Sequence, residues 1–258
     1  KAHEGGSTLA HLIPDHKYIN GLVEMLEAVE QQEAENLKEA ALCIYHSMRK
    51  MGVLQVFATG HSHMIADELF YRAGGLAPIN PLLVDKLMVY KGAQQATAFE
   101  RTAGEATSVL ESADVRLCDC MLLSSNSGIN MASVEAALWA KERGIRTIGI
   151  TSRAASGVLA SRHPSGLRLM EVCDIIIDNY APPGDGLIQI PASGQVTGGA
   201  SSFSSLFIAQ RLVLMVVNHY LQDGLLPPIF QSANTLGGDE HNIAIIKAYQ
   251  NRIPGLQR

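Results

Sequence analysis

Met121-Leu122-Leu123-Ser124-Ser125-Asn126-Ser127-Gly128-Ile129-Asn130 is the stretch that decides the fold. A short apolar run leads into small polar residues and a glycine. A helical pattern then runs from Met131 to Arg143 and stops at Gly144. The order is strand, turn, helix. The turn places hydroxyls where a helix N-terminus offers unpaired N–H groups and a partial positive charge. That setting suits an anion, most often a phosphate. Ser and Asn are equally at home in ordinary turns and N-caps, so the stretch alone leaves both readings open.

The same alternation recurs on both sides. Val53 to Ala58 reads as a buried strand, Thr59-Gly60-His61-Ser62 as its turn, and Met64 to Ala73 as a helix ended by Gly74-Gly75. Pro78 to Leu83 is a second strand. Ala96 to Gly104 and Glu105 to Glu111 are short helices. Asp119 to Ser124 is the third strand, Ile145 to Thr151 the fourth and Asp174 to Asp178 the fifth. Strands and helices alternating at this spacing predict a parallel sheet covered on both faces. Ser152 to Gly166 reads as a polar surface excursion. Ala181 to Gly199 is rich in Gly and Pro, with a β-ribbon at Leu187 to Ile190. Ser201 to Gln222 is the most apolar helix and is expected to be central. After Pro227-Pro228 comes a polar tail from Phe230 to Asn242, then a last helix from Ile243 to Tyr249.

Ahead of the first strand, Ile19, Leu22, Val23, Leu26 and Val29, then Leu37, Ala41, Ile44, Tyr45 and Met48, recur at helical spacing. One continuous helix from Asp15, closed by Gly52, is the expectation. Its apolar stripe packs either on its own domain or on a partner subunit. Residues 1–14 lack periodicity and read as a frayed terminus or an expression scar. The chain thus divides into residues 1–14, the N-terminal helix (15–52), an α/β domain (53–223) and a C-terminal tail and helix (224–258).

Composition narrows the function classes. The chain has 258 residues, 47% hydrophobic and 17% charged, with a net charge of −5. Without a Lys/Arg block, nucleic acid is not an expected partner. The longest apolar run, Leu212 to Val217, is too short for a bilayer, and no secretory h-region opens the chain, so no membrane role is expected. Cys43, Cys118, Cys120 and Cys173 show no CxxC spacing, which fits free thiols in a cytoplasmic protein. Cys118 and Cys120 would share a face of a strand, a weak lead toward a metal; no metal site is expected. The Thr59–Ser62 turn lacks the GxGxxG spacing, so a nicotinamide cofactor is not supported, and no cofactor is expected.

In an open parallel sheet, ligands bind beyond the carboxyl ends of the strands. The turns at Thr59–Ser62, Ser124–Asn130 and Ser152 onward fall there. Ser125, Ser127 and Asn130 combine side-chain donors with backbone N–H groups at a helix start, and Gly128 allows close approach.

Three segments carry a resemblance. Ser125-Asn126-Ser127-Gly128-Ile129-Asn130 resembles the phosphate loop S-x-S-G-x-T/S of the sugar isomerase (SIS) domain. Gly60-His61-Ser62 with Ala66-Asp67-Glu68-Leu69 is similar to the G-x-S turn and A-E-E-L helix of phosphoheptose isomerases. Gly149-Ile150-Thr151 with Ser156-Gly157-Val158-Leu159-Ala160 is similar to a later I-T…S-x-L-A segment. The likeness spans Leu37 to Gln222 and extends to an uncharacterised bacterial branch whose tail resembles Ser232-Ala233-Asn234 with Gly238-Asp239-Glu240-His241-Asn242. It implies a three-layer, flavodoxin-like α/β fold with five parallel strands, and a dimer or tetramer binding a sugar phosphate near its subunit interfaces. Gly60, His61, Ser62, Ser124, Ser125, Asn126, Ser127, Gly128, Asn130 and Thr151 are then the substrate-binding candidates. Asn130 replaces the usual Thr or Ser, and the inserts at 152–166 and 181–199 are atypical of the small isomerases.

Aldose–ketose isomerisation needs a base that moves a proton between adjacent carbons and an acid for the oxygens. The resemblance implies Glu68 as the base; a solvated helix carboxylate is the plain alternative. Histidine suits the acid role. His219 lies near the isomerase histidine on the last long helix, and His241, in a polar tail able to close over a sugar, is its rival. His61 is placed to meet a sugar hydroxyl, and Glu135 reads as a surface or interface carboxylate. The function implied is a phosphosugar isomerase. The alternatives are a lyase or etherase using the same loop, a non-catalytic phosphosugar sensor, and a structural oligomer built on the N-terminal helix.

Overall fold

Five short strands carry the chain's most apolar runs, and they pair into one parallel sheet. The computed structural model describes residues 16–191 and 193–257; the reading of residues 1–14 lies outside them. Helices α1 (Lys17–Gln32) and α2 (Ala34–Arg49) precede β1 (Leu54–Ala58), a 3₁₀ turn at Gly60–His63 and α3 (Met64–Leu69). Then come β2 (Ile79–Pro81), α4 (Ala93–Arg101), α5 (Glu105–Ser112), β3 (Cys120–Ser124) and α6 (Met131–Glu142). The sheet is completed by β4 (Arg146–Thr151), α7 (Arg153–Gly157), α8 (Leu169–Val172) and β5 (Ile175–Asp178). A hairpin of β6 (Gly186–Gln189) and β7 (Val196–Gly199) leads into α9 (Ser201–Gln222) and α10 (Gly238–Tyr249).

The strand order is β2-β1-β3-β4-β5. Val56 pairs with Leu122, Leu122 with Ile148, and Ile148 with Ile175. Alternate residues enter two cores. Leu54, Val56, Leu122, Ile148, Ile150, Ile175 and Ile177 face α2, α3 and α9. Phe57, Met121 and Leu123 face α4, α5, α6 and α8. Burial on both faces is why these strands read as apolar runs rather than as alternating patterns. The order reverses between β1 and β3, so the turns after these two strands diverge to opposite faces and leave a crevice. The expected α/β fold with a five-stranded parallel sheet is therefore the one observed.

The N-terminal helix differs from the single element expected. It breaks at Glu33, which has left helical geometry (φ −101°, ψ 10°). The ladder is carried across the break, since Glu33 N–H donates to Val29 O and Glu33 O accepts from Leu37 N–H. The two halves serve different targets. Leu22 and Met25 of α1 pack with Leu187 of the hairpin and Ala200, while Leu37, Ala41 and Ile44 of α2 pack on the sheet. One straight rod cannot follow both surfaces. Ile19 and Val23, expected in the stripe, stay exposed.

Other boundaries shift for local reasons. The helix expected to Ala73 ends at Leu69, where Phe70 turns extended (ψ 133°). The excursion after β4 contains a short helix, α7, capped by the Ser152 hydroxyl, which accepts from Ala155 N–H at 2.9 Å. The ribbon forms as a two-stranded antiparallel hairpin. The last helix begins at Gly238 rather than Ile243. Gly237 supplies the left-handed residue before it (φ +77°), and Asp239 and Glu240 sit in its first turn, favoured by the dipole. Asn242, expected in a polar tail, is buried and bridges Gln231 N–H and O at 2.9 Å each. Helix α9 as a whole is long and apolar enough to cross a membrane by length and composition, unlike the short run 212–217 within it. In the fold, 44% of its most apolar window is buried, with Ile208, Ala209, Leu212, Val213 and Val216 in the core beside α2.

Candidate functional site

The crevice beside β1 and β3 opens as a cleft of ≈ 350 Å³. One wall is the turn after β1, with Thr59, Gly60, His61 and Ser62. The floor is the turn after β3, with Ser125, Asn126, Ser127 and Asn130. Glu100 from α4, Ala155 and Leu159 near α7, Gly184 and Asp185 before the hairpin, and Ser201 at the start of α9 close the rest.

The β3 turn is held from behind. Asn126 O accepts from the Thr151 hydroxyl at 3.1 Å and from Ser152 N–H at 3.0 Å. Asn126 Oδ1 accepts from the Asn179 amide at 3.1 Å, and Ser125 N–H donates to Ile150 O at 3.0 Å. The ends of β4 and β5 therefore fix the loop. Within it, Gly128 N–H donates to Ser125 Oγ at 3.2 Å. Gly128 needs its freedom: φ is +62°, and a Cβ there would lie 2.8 Å from Thr151 Oγ1. The Ser156 hydroxyl, also buried near Gly128, has no hydrogen-bond partner among the described residues.

Helix α6 starts at the end of this loop without a side-chain cap. Asn130 occupies the N-cap, yet its Oδ1 accepts from the Arg162 guanidinium instead of from the helix. The first-turn N–H groups of α6 are left to another acceptor. The loop is thus a rigid nest of donors at the N-terminus of a three-turn helix, beside a guanidinium, and its chemistry suits an anion.

Two carboxylates line the cleft, Asp185 and Glu100, and the one at the β1 turn is Glu100. Its Oε2 accepts from the Thr59 hydroxyl at 3.1 Å and lies over Gly60, 3.7 Å from where a Cβ would be. Burial pushes the Glu100 carboxyl above the usual carboxylate range. Hydrogen bonds from Thr59 and Asn130 and the charges of Arg101 and Arg162 pull the other way. His61 stands exposed at the rim, while His63 is turned inward against Gly60 O and lies 3.3 Å from Asp67. Asp185 accepts from the N–H groups of Ala200 at 3.2 Å and Ser201 at 2.7 Å, so its side chain caps α9.

The sequence-derived candidates fall into three places. Gly60, His61, Ser62, Ser125, Asn126, Ser127 and Asn130 meet in the cleft. Ser124, Gly128 and Thr151 lie behind it and hold the loop. Glu68, His219 and His241 do not line it. Glu68 is engaged by Arg72 and accepts from Gln210 of α9 at 2.7 Å. His219 stacks on Tyr45, ring centroids 5.4 Å apart, toward the other end of α9 from Ser201. His241 lies within α10, exposed, with Nε2 2.9 Å from Ile229 O. Glu135 serves α5, accepting from the N–H groups of Gly104 and Thr107 at its N-terminus. Sequence reasoning missed Glu100, Arg162 and Asp185. Glu100 gives no local signal in a short polar helix. Asp185, at φ +64°, does sit in a Gly-Asp-Gly turn that hints at a special backbone.

Residues 17–152 of the chain match the SIS domain. A UPF0309 protein from Geobacillus sp. (strain WCH70) is 39% identical over 243 residues, covering 92% of this chain and 96% of that one. The chain belongs to the SIS domain family. Within it, the chain is similar to the UPF0309 proteins across nearly its whole length. Two solved structures share the fold. A phosphoheptose isomerase from Francisella tularensis has a TM-score of 0.51 and 15% identity, over 79% of this chain and 96% of its own. The sugar isomerase domain of an RpiR transcription factor from Sphaerobacter thermophilus has a TM-score of 0.50 and 14% identity, over 91% of this chain and 97% of its own. The SIS match contains the β1 and β3 turns and Glu100. Asp185, which lines the cleft, and Arg162, which holds Asn130, lie beyond it.

Proposed function

We propose that this SIS protein binds a sugar phosphate in the cleft and catalyses its aldose–ketose isomerisation. The phosphate is received by the Ser125–Asn130 loop and the start of α6, with Arg162 alongside. The sugar extends toward the β1 turn, where Glu100 takes a proton from the carbon beside the carbonyl and returns it to the neighbouring carbon through an enediol. His61 and Ser62 serve the sugar hydroxyls. The observation that carries this reading is a carboxyl, Glu100, raised in pKa by burial and bonded to Thr59, in the same cleft as the braced loop Ser125–Asn130. The reaction named for the phosphoheptose isomerases of the same fold is of this class.

Glu68 lies outside the cleft of this chain, and the proposal assigns the proton transfer to Glu100. The test is exchange of a substrate C–H proton with D₂O across pentose, hexose and heptose phosphates. Glu100→Gln is expected to lower exchange by about 10²–10⁴-fold with binding retained, the range for removal of a general base. Exchange lost in Glu68→Gln and kept in Glu100→Gln would overturn the assignment. Wild-type protein that binds a sugar phosphate without exchanging any proton would make it a sensor.

A further inference from the structure

A second cavity lies at the opposite end of the sheet from the cleft. It has a volume of ≈ 330 Å³ and opens between α2 and the foot of β3. Two thiols meet on its wall. Cys43 comes from α2, half-buried and open to the cavity, and Cys120 is the buried first residue of β3. The two side chains are neighbours on that wall, Cys43 packing against the core that holds Cys120, where α2 meets β3 and the Ser47 hydroxyl donates to Cys118 O at 2.7 Å. Arg146 lines the same cavity from β4, its guanidinium paired with Glu39 at 3.3 Å and Asp174 at 3.6 Å. Cys118, one residue before the strand, turns instead to Asp119.

We propose that Cys43 and Cys120 form a dithiol site that reduces a small hydroperoxide, with Cys43 attacking and Cys120 resolving. Three features support it. An accessible sulfur that shares a cavity wall with a guanidinium and a second, shielded thiol is the arrangement that selects cysteines for peroxide chemistry. The neighbours hold the Cys43 thiol down to about 7, first through the Cys120 hydrogen bond and then through Arg146. The same contact and burial hold Cys120 well above the ordinary range, so it keeps its proton until it is needed. Cys173, by contrast, is pushed up to about 12 by burial and is inert as a nucleophile at neutral pH.

The chemistry balances. The Cys43 thiolate attacks one peroxide oxygen, the O–O bond breaks, and the departing oxygen leaves as an alcohol or water after taking a proton. Cys43 is now a sulfenic acid. Cys120 gives up its proton and attacks the Cys43 sulfur; the S–O bond breaks, water leaves, and a disulfide remains. Two thiols are oxidised and one peroxide is reduced. The site is independent of the sugar-phosphate reading.

The test is treatment of the full chain with hydrogen peroxide, followed by peptide mapping without reductant. The expected result is a Cys43–Cys120 cross-link with the loss of two hydrogen atoms. In Cys120→Ala the expected product is a sulfenic acid on Cys43, trapped by dimedone. Modification of Cys118 with Cys43 untouched would overturn the proposal, as would a stable wild-type sulfenic acid without a cross-link. If Cys120→Ala fails to fold, wild-type iodoacetamide kinetics decide. Alkylation of Cys43 is expected to reach its half-maximal rate near pH 7, set by its lowered pKa, against roughly 8.5 for an ordinary thiol. A midpoint at the ordinary value would contradict the site.

Discussion

Glu100 is the residue to which proton transfer is proposed to fall, and its environment is legible only in three dimensions. Burial raises its pKa, so the native chain holds the proton more tightly than the unfolded chain does. Above the raised value the ionised carboxylate costs stability relative to a neutral isostere. As pH falls through that value the group protonates and the cost disappears. The stability gained by Glu100→Gln over wild type is therefore expected to be positive at neutral pH and to shrink on acidification, measured by urea denaturation across pH. A difference that does not change with pH would contradict the assigned environment. The hydroxyls and amides of the β3 turn could be chosen from sequence because turn chemistry and helix starts leave local marks. Glu100 could not, because it reaches the cleft from a helix with no marker. Glu68 is the converse. Its sequence context resembles an isomerase base, yet here its carboxylate meets Arg72 and Gln210.

At the scale of elements, the loop between β3 and α6 is rigid because β4 and β5 brace it through Thr151, Ser152 and Asn179. Gly128 is the residue on which that bracing depends. In Gly128→Ala the new methyl group would lie 2.8 Å from Thr151 Oγ1 at a positive φ. The expected cost is about 1–2 kcal/mol for the backbone conformation alone, read as a lower urea midpoint, together with weaker binding of inorganic phosphate. An unchanged midpoint would show that the loop adapts freely. Strands and long helices were legible because burial on two faces and amphipathic stripes are written in composition and spacing. The break at Glu33 was not, since the spacing of apolar residues continues through it. What changes there is the surface against which each half packs. The start of α10 was missed because Gly237-Gly238-Asp239-Glu240 reads as a turn, although a left-handed glycine followed by two acids is also a helix start.

At the scale of the molecule, strand order places the site. A 2-1-3-4-5 sheet reverses direction between β1 and β3, so the two turns richest in small polar residues open on one crevice. The C-terminal segment adds a second anchor, with Arg252 paired to the buried Asp119 at 2.9 Å at the sheet's opposite end. Nothing local in the sequence links these residues, which stand 133 positions apart. Ile19 and Val23 on α1 and Phe203 and Leu214 on α9 stay exposed in the single chain.

In the proposed function the Ser125–Asn130 loop holds the phosphate of a sugar phosphate. Calorimetric titration of pentose, hexose and heptose phosphates into wild type and into Ser125→Ala/Ser127→Ala tests it most directly, with the unphosphorylated sugars alongside. The expected result is that a phosphorylated sugar binds, that its unphosphorylated counterpart does not, and that the double substitution weakens binding by ~1–3 kcal/mol, the value of hydrogen bonds to a charged group. Affinity unchanged by the substitution, or equal for the phosphorylated and unphosphorylated sugar, would contradict it.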